Sequence, residues 1–329
     1  MRSLRKVIAI IEPHQMRQAA LERAFALNLS GSRTKSKNKI EIMALMPVFD
    51  EHWDRKINAD ADIKNQDEMI KKLILKKEKW LDSFLSIHAL GFDIKRKVIW
   101  SKSLGKDILD VAKEYGADGI IKTADDHGLL DGVIFTPLDM QLLRHSHIPV
   151  LIAKNHIWHP TGVIAVALNI ADHDDVQTRL LNMRLLREAQ ELSRITKCEI
   201  HILNAISPLM PPVTMDISGM MPESISENRL KDCCRSVLSF AQRHRIKAEY
   251  CHIREGKVED VIPALCQELK PTTLFIGTAA RDGLAVALLG NICEKVIDSL
   301  NCDVAVITPK AVAHKIPFAT GDDGKKGVF

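Results

Sequence analysis

The residues best suited by type and spacing to contact a phosphate run from Gly277 to Val296, GTAARDGLAVALLGNICEKV. Gly277 closes an apolar, β-branched run, a loop follows, and Gly290, Asn291 and Ile292 open a helical pattern. A helix start carries about half a positive charge and unpaired N–H groups, which makes it a ready anion site. Glycines at 277 and 290 let backbone approach a ligand closely, and Arg281 in the loop supplies a charge-assisted donor. The same residues serve equally as turn glycines and an asparagine N-cap, so the residues alone leave phosphate contact and plain loop closure both open.

Other constellations carry less chemistry. His145, His147, His156 and His159 have spacings open to a metal but read as surface histidines, and Asp172, His173, Asp174 and Asp175 read as a solvated loop. The pair Gly256 and Lys257 is not a phosphate-binding lysine loop, because Cys251 stands where its first glycine belongs. No G-x-G-x-x-G follows a first strand and no G-x-S-x-G elbow presents a serine. The seven cysteines all lie between Cys198 and Cys302, without C-x-x-C spacing, and read as reduced, buried thiols in a cytoplasmic protein. We therefore assign no catalytic residue and no metal ligand, and expect at most slow catalysis.

The chain of 329 residues is long enough for about two domains. Hydrophobic residues at 46% and charged residues at 27% describe a globular protein with a full core. A net charge of +4 is too small to imply nucleic acid. No apolar run is long enough to span a membrane, and the first one is cut short by Glu12 and Pro13.

The elements that must position the chemistry come in two matching sets. In the first half, strands are expected at Val7–Ile11, Ile40–Leu45, Ile94–Trp100, Gly119–Lys122 and Pro149–Ala153. Helices are expected at Ala19–Leu29, Ile70–Leu85, Ile108–Ala112 and Met140–Leu143, the second with a lysine-rich solvated face. The segment 156–162, with Trp158 and Pro160, reads as a linker between residues 1–155 and 163–310, and 311–329 as a flexible tail. The second half repeats the order, with strands at Val163–Leu168, Glu199–Ile206, Ala248–Ile253, Thr273–Gly277 and Val304–Thr308. Its helices are Leu180–Ile195, Leu230–Arg243, Val258–Leu265 and a last pair around Ile292–Leu300. Pro149 and Asp303, Thr136 and Gly290, and Thr123 and Gly277 are each 154 residues apart, so the halves are copies of one fold.

Alternation of this kind predicts two tandem doubly wound α/β domains, each a parallel five-stranded sheet of order 3-2-1-4-5. Ligands of such sheets bind at the carboxyl ends of the strands, where the winding reverses. In the second half this singles out Asn169 after the first strand and the Gly277–Val296 stretch after the fourth.

Two segments, VIFTPLDMQLLR from 133 to 144 and GTAARDGLAVALLGNICEKVIDSLNCDVAVI from 277 to 307, make the chain resemble the universal stress protein family in its tandem-domain E type. The resemblance spans nearly all of residues 4–310 and implies a fold like that of the adenine nucleotide alpha hydrolases. Nucleotide-binding members carry G-x2-G-x9-G-[S/T]. Here Gly277, Ala280, Gly290 and Asn291 keep the spacing and change two positions. A Cβ at 280 costs on the order of 1 kcal/mol if φ must be positive, which weakens the site about fivefold.

The resemblance also puts Asn169 at the ribose position, Ala205 beside adenine and Gly256 in a neighbouring loop, and Ile276, Thr278, Arg281 and Ile292 are counted with the nucleotide-binding residues. It implies ATP or ADP, with or without Mg2+, in the second half, a role in stress survival, and room for a homodimer besides the intrachain pair. The first half loses both glycines, has Pro137 where a donor is wanted, and brings in Asp125, Asp126 and Asp131, so no nucleotide is expected there. The competing classes are a binder of an apolar or acyl-bearing metabolite, using Met210, Met215, Met220 and Met221, and a scaffold for dimerisation.

Overall fold

The computed structural model describes residues 4–15, 17–32, 39–59, 62–124, 136–158, 162–170, 176–207, 223–278, 296–297 and 299–309. The chain divides into two compact units, the first carrying the strands up to Ala153 and the second beginning at Lys154.

The first unit runs β1 (Lys6–Ile10), α1 (Ala19–Ser32), β2 (Glu41–Val48), α2 (Glu51–Asn58), α3 (Ile63–His88), β3 (Ile94–Trp100), α4 (Leu104–Tyr115), β4 (Gly119–Thr123), α5 (Pro137–His145) and β5 (Val150–Ala153). The strands lie side by side in the order β3-β2-β1-β4-β5, all pairs parallel. Central strands covered on both faces must be apolar throughout, and β1 and β4 are buried along nearly their whole length. The edge strand β3 instead exposes Lys95 and Arg96, charges that discourage a further strand from pairing there.

Two features depart from the sequence expectation. The helix α2 was not anticipated; Asp50 starts it by accepting from the backbone N–H groups of His52 and Trp53 at 2.9 and 3.1 Å. Its polar composition hides the helical period, and Ile57 is its one buried residue. The long helix α3 begins earlier than the apolar spacing indicates, because Asp62 caps it through the N–H of Lys64.

The second unit runs β6 (Val163–Ala167), α6 (Val176–Thr196), β7 (Glu199–Ile206), α7 (Glu223–Arg243), β8 (Cys251–Glu255), α8 (Val258–Leu269), β9 (Thr273–Gly277) and β10 (Asp303–Ile307). Its strand order is β10-β9-β6-β7-β8, again all parallel. A strand expected from Ala248 starts only at Cys251, because Ala248–Tyr250 form a 3-10 turn. Of the last expected helix, Val296 and Ile297 are helical, and most of it lies outside the described residues. Each unit is therefore a doubly wound sheet of order 3-2-1-4-5, as the sequence predicts.

The second unit also claims the segment that follows β5. Asp303, fully buried at the start of β10, accepts from the backbone N–H of Lys154 at 2.8 Å and the indole N–H of Trp158 at 2.6 Å. The ring of His156 meets the same carboxylate at 2.8 Å. The Lys154 ammonium is buried too and donates to the carbonyls of Ile297 and Leu300.

Candidate functional site

At the carboxyl edge of the second sheet, the segment after β6 is held by two buried amides. Asn182 on α6 accepts from the Asn169 N–H at 3.2 Å and donates to its carbonyl at 2.8 Å. Asn204 on β7, without solvent exposure, accepts from the Ile170 N–H at 3.0 Å. With its main chain fixed this way, Asn169 itself stays half-buried at the edge. The sequence reading missed Asn182 and Asn204. Their signal was a polar amide inside an otherwise apolar stripe or strand, a position where burial demands a hydrogen-bonded partner.

The neighbouring strand ends add two backbone-lined positions. Ala205 is half-buried near the end of β7, in register with Arg254. Gly256 follows β8 with φ of 147°, and its N–H donates to the Ile206 carbonyl at 2.9 Å. A Cβ there would also stand 2.7 Å from Val261, so both conformation and space require glycine.

After β9, Ile276 is buried and Gly277 half-buried. A Cβ on Gly277 would stand 2.6 Å from Leu181 on α6, which gives this glycine a packing reason besides any contact with a ligand. Thr278 is buried and bonds Thr308 hydroxyl to hydroxyl at 2.8 Å. Beside them Arg184, whose guanidinium is pulled below its ordinary range by burial against a partial counter-pull from Glu188, donates to the Thr308 carbonyl at 3.0 Å. Ala280, Arg281, Gly290, Asn291 and Ile292 lie outside the described residues. So do Asp172 to Asp175, His159 and the four methionines between 210 and 221.

The carboxyl edge of the first unit is organised otherwise. Lys122 on β4, without solvent exposure, has its ammonium 3.1 Å from Glu12 Oε2 and 3.0 Å from Asp139 Oδ1, and donates to the Thr123 carbonyl at 3.1 Å. Glu12 stands two residues past the end of β1, as Asn169 does past β6. Asp139 lies in the first turn of α5, where its second oxygen accepts from the Thr136 N–H and hydroxyl, both at 2.9 Å. Thr136 in turn accepts from the Asp139 N–H at 3.2 Å, closing a capping box with Pro137 at the first position.

Strand alternation sends the next side chain to the other face, where the Thr123 hydroxyl accepts from the Ala20 N–H at 3.0 Å and caps α1. The starts of α1 and α5 are thus each met by the chain's own side chains. Asp125, Asp126 and Asp131, expected to repel a phosphate here, lie outside the described residues. The carboxylates that meet Lys122 at this edge are Glu12 and Asp139, which the sequence reading did not single out. Their signal was a lysine inside GIIKT, the most buried strand of the unit.

Of the histidines weighed as metal ligands, His145 is buried in the last turn of α5 and His156 is engaged by Asp303. Among the described residues no group of three or more His, Cys, Asp or Glu is arranged to hold a metal. A different pair stands out further back on the second sheet. His201 Nδ1 lies 2.9 Å from His252 Nε2, and Tyr250 stacks on His201 at 4.5 Å. Burial first, then its partner ring, holds His201 below the usual imidazole range; burial and Arg254 do the same to His252, against an opposing pull from Glu268.

Residues 3–154 and 181–308 match the Universal stress protein family. Universal stress protein E of Photorhabdus laumondii is 29% identical over 314 residues, covering 94% of this chain and 96% of its own. Universal stress protein E of Escherichia coli K12 is 28% identical over 305 residues, covering 92% and 93%. Among solved structures, a functionally unknown protein from Pseudomonas aeruginosa is similar with a TM-score of 0.68 and 24% identity, over 95% of both chains, a likeness of fold. No described helix is long and apolar enough to cross a membrane.

Proposed function

The chain belongs to the universal stress protein family through both its halves, and from that premise we propose that the second half binds an adenine nucleotide while the first half binds none. The observation that carries the reading is the gathering of Asn169, Ala205, Gly256 and Gly277 at the ends of four adjacent parallel strands, at the reversal point where such sheets take ligands. The intact spacing from Gly277 to Gly290 and Asn291 supports a phosphate contact from the loop that follows.

In this reading Asn169 hydrogen-bonds a ribose hydroxyl, with its backbone already fixed by Asn182 and Asn204. The backbone at Ala205 and Gly256 borders the base. Ile276, Gly277, Thr278, Ala280, Arg281, Gly290, Asn291 and Ile292 surround the phosphates of ATP or ADP, and Mg2+ neutralises phosphate charge when bound. Asn169 supplies no charge to hold such an ion, so the phosphates carry most of that task. Ala280 in place of a glycine makes the affinity moderate to weak.

No residue is assigned to activate water, so the protein acts as a nucleotide-responsive regulator in the cytoplasm during stress, as a monomer or a homodimer, rather than as a fast catalyst. Calorimetric titration of the full chain with ATP tests this. We expect one site per chain, lost in Gly290→Asp and kept in Thr136→Asn at the matching position of the first half. Absence of heat with the wild-type chain, together with no thermal protection at millimolar ATP, would overturn the reading.

A further inference from the structure

We propose that the first half carries a latent anion site which the chain itself occupies, with the Asp139 carboxylate lying where a phosphate would sit and Lys122 as its counter-ion. The inference does not rest on nucleotide binding by the second half. It begins from charge: a lysine without solvent exposure lies between two carboxylates at the centre of a sheet edge that doubly wound folds use for ligands. Asp139 does there what a bound anion does elsewhere in this fold class. One oxygen takes the ammonium of Lys122 and the other takes the backbone N–H at the start of α5 and the Thr136 hydroxyl.

Two parts of the chain therefore converge on one carboxylate: the strand lysine Lys122, and Thr136 at the start of α5 with both its N–H and its hydroxyl. Glu12, at the place of Asn169 in the other copy, holds the same lysine from the opposite side. The contact is autoinhibitory in form. A tethered carboxylate is present at a concentration no diffusing phosphate matches, so the site stays closed in the wild-type chain.

Replacing Asp139 leaves the buried Lys122 ammonium paired with Glu12 and frees the Thr136 N–H and hydroxyl beside it, three donors for an external anion. The experiment is titration of the full-length protein with inorganic phosphate at constant ionic strength, comparing wild type, Asp139→Ala, Asp139→Asn and Asp139→Ala/Lys122→Met. Asp139→Ala should bind phosphate at least about tenfold more tightly than wild type, the worth of one charge-assisted pair. Asp139→Asn, which keeps the shape and part of the cap, should gain less. The double variant should lose the gain.

Should Asp139→Ala be unfolded in plain buffer, phosphate should refold it in proportion to its concentration. A folded Asp139→Ala with wild-type phosphate affinity, a gain that survives loss of Lys122, or an unfolded variant that phosphate does not rescue would each overturn the proposal. Phosphate taken up by the second half is common to all four proteins and cancels in the comparison. Its ATP titration is read separately, so failure of one reading is distinguishable from failure of the other.

Discussion

Gly277 and Asp303 show how one residue type acquires its meaning from what stands beside it. A glycine at the end of a strand before a loop suggests a ligand, yet the space its missing side chain leaves is filled by Leu181. Gly277→Ala should therefore destabilise the protein by about 1–3 kcal/mol, the usual cost of forcing atoms into a packed site. In a Leu181→Ala background the same change should cost clearly less, which chemical denaturation of the four proteins measures as a coupling. Nucleotide affinity in the Gly277→Ala/Leu181→Ala protein then separates a ligand role from a packing role. Asp303 looks like an ordinary polar residue opening a strand, but it is fully buried and takes hydrogen bonds from Lys154 and Trp158 besides meeting His156. Removing this buried acceptor leaves the N–H groups of Lys154 and Trp158 without it, at about 1–3 kcal/mol for each buried donor left unsatisfied. We expect Asp303→Ala to show that loss in urea unfolding, with a changed Trp158 emission as the indole loses its acceptor.

At the scale of elements, the two halves use the same helix and strand ends for different purposes. The start of α5 is closed by Thr136 and Asp139, and Thr136→Ala should cost about 1 kcal/mol by removing the cap, measured by the shift in unfolding midpoint. The strands β7 and β8 carry a pH dependence. His201 and His252 share one hydrogen bond between two rings, an arrangement that suits one donor and one acceptor, both neutral. Tyr250, Glu199, Arg254 and Glu268 surround the pair. Because both rings sit below the ordinary value of 6.5 in the folded protein, the unfolded chain binds more protons once pH falls past that value. Stability is therefore whole above about pH 6.5 and declines as pH falls from there through the lower folded values. Unfolding midpoints between pH 8 and 5 should show this slope, and His201→Gln/His252→Gln should flatten it. A slope unchanged in the double variant would mean that other groups, among them His244, carry it.

For the whole molecule, the expectation is asymmetry between two copies of one fold. Millimolar ATP should raise the unfolding temperature of the second unit and leave the first unchanged, which calorimetric scans of wild type and Gly290→Asp would resolve, since ligand stabilises only the state and the unit that binds it. The sequence by itself determined the duplicated doubly wound architecture, because apolar strands alternating with amphipathic helices leave few ways to bury both faces of a parallel sheet. It also located the reversal of strand order in each copy and held the glycine spacing that follows the fourth strand of the second one, since these follow from element order and from local motifs. The partners of individual polar groups were not legible. Glu12, Lys122 and Asp139 are far apart in the chain, and nothing in their local surroundings says that they meet; the same holds for Asn182 and Asn204 with the loop after β6, and for Asp303 with Lys154, His156 and Trp158. Only the tertiary structure decides such pairs, because buried charge and amide groups must be satisfied by whatever the fold brings within about 3 Å, and that proximity is set by sheet register rather than by sequence neighbours.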